Sequence, residues 1–222
     1  MGIYIFILIY VLFFIFIYIY KIIPKPYSVQ HFLTCKDFVY PFIKFIDTDT
    51  EVIEHFEGSS YKSGVWIDVF PLDGTFTNLN IRKIHFEIVL KLRFLFQLKT
   101  RKYVTPGNKK YKFLYYVKKI IKPVVFALIQ IIPKNILFNL MDFSASYVRY
   151  TKSKYLGNLY TTIKTKASHK KEIFDKKILL EFDKHYLYGP IGYDQYLTNL
   201  YGDYMTPPPE NERKQHNIQI LK

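Results

Sequence analysis

Nineteen consecutive residues, Gly2 to Tyr20, carry no charge and almost nothing polar beyond tyrosine hydroxyls. At about 1.5 Å per residue, a helix of that length is just enough to cross a hydrocarbon core of about 30 Å. Lys21 and Lys25 follow, and Pro24 and Pro26 stop a helix there. No basic segment precedes the run and no small-residue cleavage site follows it, so residues 1–21 read as a single-pass membrane segment rather than a removed signal. Positive charge on the carboxyl side alone puts the globular part in the cytoplasm. A duller reading stays open beside it, in which the stretch stands in place of other coding sequence and has no role as an anchor.

The remainder is long enough for one domain with its own core. Its net charge of +14 is unevenly spread: residues 82–122 hold thirteen Lys or Arg against one acid, Glu87, a balance of +12. These basic residues sit among aliphatic and aromatic runs, which suits an anionic membrane surface or a polyanionic glycan and argues against a nucleic acid groove. The single cysteine, Cys35, excludes an internal disulfide, and the six histidines show no metal-ligand spacing.

Periodicity predicts an α+β chain. A loosely alternating strand runs over Phe38–Asp47, irregular at Pro41. In Val65–Phe70 the pleat sets Trp66, Asp68 and Phe70 on one face; Pro71 ends the strand, and Asp73-Gly74 reads as a turn. Helices are expected over 80–103, 112–132 (kinked at Pro123) and 134–152, together a helical basic insertion at 80–152. The second of these is too short in its apolar part to span a bilayer, and fits an interfacial or docked core helix. Short strands near 157–164 and 178–183, a loop at Gly189-Pro190 and a helix over Tyr193–Tyr201 follow, with Gly202 as a left-handed cap and an extended polar tail from Pro207.

Asp68 is the sharpest candidate for chemistry. A carboxylate flanked by aromatics on one strand face is costly unless it meets a cation or a hydrogen-bond donor. Either a metal-binding role or the capping of nearby amides would satisfy it. Lys44, on a neighbouring strand, is a candidate phosphate partner as a point charge, and equally a lysine without a role. Asp73 lies close by, though an Asp before Gly commonly bonds its own backbone. Asp47 and Asp49 form an Asp-x-Asp, but no glycine lies between Gly2 and Gly58 to supply a phosphate-cradling turn, so the pair reads as two solvated loop acids.

Two blocks, Val-Trp-Ile-Asp-Val-Phe-Pro-Leu-Asp-Gly (65–74) and Tyr-Leu-Thr-Asn-Leu-Tyr-Gly-Asp-Tyr-Met-Thr-Pro-Pro-Pro-Glu-Asn-Glu-Arg (196–213), resemble in order and spacing the LicD family of phosphocholine transferases, relatives of fukutin-type enzymes. The resemblance covers residues 22–216, leaving 217–222 as a tail. It implies part of a nucleotidyltransferase-like domain with a small mixed sheet. It also implies a Mg²⁺ or similar divalent ion, a CDP-linked alcohol donor and a cell-surface glycan acceptor. In that pattern Asp68 fills the third of three metal-binding aspartates, Tyr201 and Asp203 belong to the carboxyl-terminal signature, either as substrate-pocket residues or as structural ones, and Arg213 and His216 are weaker candidates. The segment Tyr40–Thr50 matches a stretch lying after the family's paired catalytic aspartates, and the pair itself has no counterpart here. The resemblance therefore implies a phosphocholine-type transferase inactive alone, completed by another chain if at all. The competing reading is a membrane-tethered remnant that binds anionic lipid or glycan without chemistry.

Overall fold

A computed structural model describes residues 22–32, 34–35, 38–56, 59–100, 112–213 and 217–222. The hydrophobic run at 1–21 lies outside them. The chain divides into two compact units, one built from the described residues up to Val69, the described part of 100–119 and the carboxyl-terminal strand, the other from 70–99 and the described part of 120–215. The α+β class expected from the sequence holds. The expectation of a mixed sheet does not, because every strand pair among the described residues is antiparallel.

The first unit holds two three-stranded sheets. One orders β1 (Tyr27–Gln30), β2 (Ile43–Asp47) and β5 (Trp66–Val69) with β2 central; the other orders β11 (Ile218–Ile220), β3 (Val52–Phe56) and β4 (Ser59–Ser63) with β3 central. Strand β2 is shorter than the run read from Phe38, since Pro41 cannot donate to a ladder and residues 38–42 stay irregular. Their rings fill the core instead: Phe38 is fully buried and meets Tyr40 and Tyr61 edge-on at 5.7 and 5.9 Å. Cys35 packs there too, its Sγ 3.7 Å from the Tyr61 hydroxyl. Between β4 and β5 the backbone presses on Asp47 so closely that a Cβ at Gly64 would fall 1.8 Å from the Asp47 carbonyl oxygen. Only glycine fits that approach.

The second unit joins a small sheet, ordered β6 (Asp73–Thr75), β7 (Tyr155–Gly157) and β8 (Ser168–Lys170), to α1 (Leu79–Thr100), α3 (Lys134–Ala145) and, from Ile120 onward, α2 (Lys112–Ile131). Asn78 caps α1, its side-chain oxygen accepting from the Asn80 and Ile81 amides at 2.9 and 3.2 Å. Phe86 and Val89 of α1 bury completely against Met141 and Ala145 of α3 and against Leu159, the i, i+3, i+4 arrangement of a core-facing helix. His85 ties three elements together. Its Nε2 bonds the Ser144 carbonyl at 2.6 Å and its Nδ1 meets the Thr75 hydroxyl at 3.0 Å, while burial lowers its pKa.

Several local expectations change here. Asp73-Gly74 is strand, not turn: Asp73 registers with Gly157 and Gly74 with Leu156, pairings more than eighty residues away that a local reading cannot see. The third helix stops at Ala145, where the Ser146 amide and hydroxyl both turn back to the Asp142 carbonyl. Gly189 and Pro190 belong to β10 (His185–Pro190), hairpinned with β9 (Lys177–Phe182), and Leu180 occupies the space a side chain at Gly189 would need. Helix α4 spans Tyr193–Tyr201 as expected and ends at Gly202, whose φ of 74° suits glycine. Among the described residues no single helix is long and apolar enough to cross a membrane; one bent pair, Pro123–Ile131 with Lys134–Ala145, meets the length and composition test across a 98° bend.

Candidate functional site

The ladder between β2 and β5 places Lys44 directly opposite Asp68, with Ile46 opposite Trp66. Alternation then puts Lys44, Trp66 and Asp68 on one face. Lys44 is 1% exposed. Its Nζ donates to Glu54 Oε1 at 2.7 Å and lies 4.0 Å from Asp68 Oδ1. It also sits 3.9 Å over the Tyr40 ring and 3.9 Å over the indole of Trp66. The Tyr40 hydroxyl donates to the second Glu54 oxygen. A buried ammonium is tolerable only when such partners replace its water, and here a carboxylate and two aromatic faces do so. The Asp68 side chain, 32% exposed, is the member of this network that reaches solvent.

The donor set does not by itself fit a divalent ion. Among the described residues no group of three or more His, Cys, Asp or Glu could hold a metal, and the nearest charge to Asp68 in this network is the Lys44 ammonium. One carboxylate beside a cation falls short of the several oxygen ligands that Mg²⁺ requires.

Of the remaining candidates, Asp73, Tyr201, Asp203 and Arg213 lie in the second unit. Asp73 is half-buried, and its pKa is raised to about 7, first by burial and second by the Asp142 carboxylate. Burial raises Asp142 as well, against the Tyr160 hydroxyl that donates to its Oδ1 at 3.5 Å; the nearly inaccessible Tyr160 is pushed well above its ordinary value by burial and by both acids. The ring of Tyr201 is 68% exposed at the end of α4. Asp203 accepts from the Thr206 hydroxyl at 2.6 Å, and Tyr204 donates to Asp194 at 2.8 Å. No hydrogen bond or ion pair among the described residues joins Asp73 to Tyr201 or Asp203. Asp47 Oδ1 accepts from the Asp49 amide at 2.9 Å, a local turn bond on the exposed loop. Arg213 Nε donates to the Pro208 carbonyl at 2.9 Å, and His216 lies outside the described residues.

Three residues of these clusters escape a reading of the sequence. Glu54 has a cue: in Val52–Phe56 the buried positions are Val52 and Glu54, so an acid occupies the core-facing phase of an alternating strand. Asp142 and Tyr160 offer none, because only the fold brings them to Asp73.

Over 49 residues, 22% of this chain, the sequence is 45% identical to the lipopolysaccharide cholinephosphotransferase LicD of Haemophilus influenzae. That stretch links the chain to the phosphocholine transferases. It spans 18% of the Haemophilus protein's length. No family model matches the chain, and no solved structure does.

Proposed function

We propose that this chain is a LicD-like protein of phosphocholine, or related phospho-alcohol, transfer from a CDP-linked donor to a cell-surface glycan, in which this sequence contributes Asp68 as one metal-binding carboxylate and does not turn over unaided. The 49-residue similarity to a cholinephosphotransferase carries the reading, and the Lys44–Asp68 pairing supports it by placing a solvent-reaching carboxylate on a rigid strand. Mg²⁺ or a similar ion would be required, with further ligands beyond those described. Catalysis at such sites is mostly positioning and charge neutralisation, so one carboxylate would not suffice by itself. Residues 1–21 would tether the protein as a single pass, leaving the globular part in the cytoplasm. The full-length protein, given CDP-choline and Mg²⁺, should release no CMP above background. Metal-dependent release that disappears in Asp68→Ala would overturn the inactive half of the reading and leave the transferase half standing.

The absence of a metal-binding cluster among the described residues favours one alternative, a membrane-tethered protein that binds anionic lipid or glycan without chemistry. CDP-choline that protects the β2–β5 amides from hydrogen exchange in the presence of Mg²⁺ supports the transferase ancestry of the site. No protection at millimolar ligand supports the non-catalytic reading.

A further inference from the structure

Helices α2 and α3 are apolar on two sides at once. Their inner faces are covered: Ile129 of α2 and Leu137, Met141 and Ala145 of α3 are all buried. Their outer faces are apolar too. On α2, Ile121, Val124, Leu128 and Ile131 recur at intervals of three and four, each more than half exposed. From α3 onward Ile136, Leu140, Phe143 and Tyr147 continue the pattern, 46% to 64% exposed. A water-facing helix normally turns a polar stripe outward, and one apolar all round is normally enclosed. Contiguous exposed apolar surface of this kind marks an interaction site.

We propose that the elbow formed by α2 and α3 is a membrane-docking surface, and that its occupant is an anionic bilayer. The two arms, Pro123–Ile131 and Lys134–Ala145, meet at 98° and together pass the length and composition test for a bent span, but each has one face packed on protein, which suits a pose in the interface better than one across it. A bent pair lying in the headgroup region, outer stripes downward, buries both apolar faces without leaving helix ends in hydrocarbon. Charge selects the lipid. By sequence the 82–122 segment leading into this elbow carries +12 in a chain of +14; Arg82 is buried and Arg93 and Lys99 bond backbone carbonyls, and the other cations favour an anionic leaflet over a neutral one. The surface is independent of Asp68 and of any transfer reaction, and distinct from the tether at residues 1–21.

The test reads the elbow alone, in the full-length protein. Nitroxide is placed at Leu128→Cys or Leu140→Cys in a Cys35→Ser background, and the protein is reconstituted with phosphatidylcholine vesicles, with or without phosphatidylglycerol. Anionic vesicles should strip both labels of most of their access to a water-soluble nickel chelate and raise their collisions with oxygen. In neutral vesicles the labels should stay water-accessible, as they should in anionic vesicles at about 1 M salt, where the Debye length falls to about 3 Å. Labels that stay water-accessible on anionic vesicles overturn the proposal. Equal immersion in neutral lipid overturns the choice of an anionic surface. Spin–spin broadening between copies without lipid would assign the elbow to a second copy of this chain instead.

Discussion

Each unit buries a polar cluster, and the two are built on opposite logic. In the first, Lys44 meets Glu54 and Asp68, unlike charges with two aromatic faces around the cation. In the second, burial raises both Asp73 and Asp142, the Asp142 carboxylate adds to the shift at Asp73, and the Tyr160 hydroxyl relieves Asp142 in part. Unlike charges hold one another in place, whereas burial without an opposite charge favours the protonated carboxyl. The first cluster is therefore a fastening and the second a latent proton site, although both are made from residues a composition table would count alike.

The largest expected effect comes from breaking the fastening. Lys44→Met leaves Glu54 buried with only the Tyr40 hydroxyl, and stranding one half of a buried ion pair costs about 3–5 kcal/mol. Urea unfolding followed through Trp66, the chain's single tryptophan, reads the first unit. Lys44→Met/Glu54→Leu should recover most of the loss, since replacing both charges with apolar groups is often neutral. If the double variant is as weak as the single one, charge pairing is not what holds the site.

The second cluster is sharpened by pH. Because the folded-state pKa of Asp73 is raised from 3.8 to about 7, the folded state binds its proton more tightly than the unfolded chain. Stability from this group is full below about pH 4 and is lost as the pH climbs through about 7. The second unit should therefore be weaker at pH 8 than at pH 5, with Asp142 acting in the same direction. Asp73→Asn should remove most of the slope and, at pH 8, gain up to about 4 kcal/mol. Amide exchange of β6 and β7 across that range checks it; a slope unchanged by the substitution would place the titrating group elsewhere.

The smallest effect belongs to Asp68. It shares the Lys44 network but reaches solvent, and exposed ion pairs contribute about 0–1 kcal/mol. Asp68→Asn should leave the Trp66 transition within about 1 kcal/mol of the parent. A larger loss would make Asp68 a structural member of the cluster rather than its outward-facing carboxylate.

How much of this was legible beforehand follows the range of the interactions. Helix α4 and the strand around Asp68 follow from local cues, Gly202 after an apolar-periodic stretch and alternation ended by Pro71, and the face shared by Trp66 and Asp68 follows from the pleat. The partnership of Lys44 with Asp68 also follows once two strands are drawn side by side. Asp73 did not, because its local signal, Asp before Gly, says turn, while its strand state depends on Gly157. The hairpin through Gly189-Pro190 escaped for the same reason: breakers dominate locally, and Leu180 packing over Gly189 decides the outcome. The hydrophobic run at 1–21, read as a membrane segment, lies outside the described residues.

Gly64 has a consequence for the history of such chains. Its place against the Asp47 carbonyl admits no side chain, whatever chemistry the protein performs or has lost. Asp68, two strand positions into β5, reaches solvent, and its ion pair with Lys44 is a long, partly exposed one. Once selection for catalysis is relaxed, the aspartate is free to drift while the glycine stays. Among descendants of one ancestral gene, the pairing of glycine with aspartate would mark copies still selected for chemistry. Glycine without aspartate would mark copies kept for their shape alone.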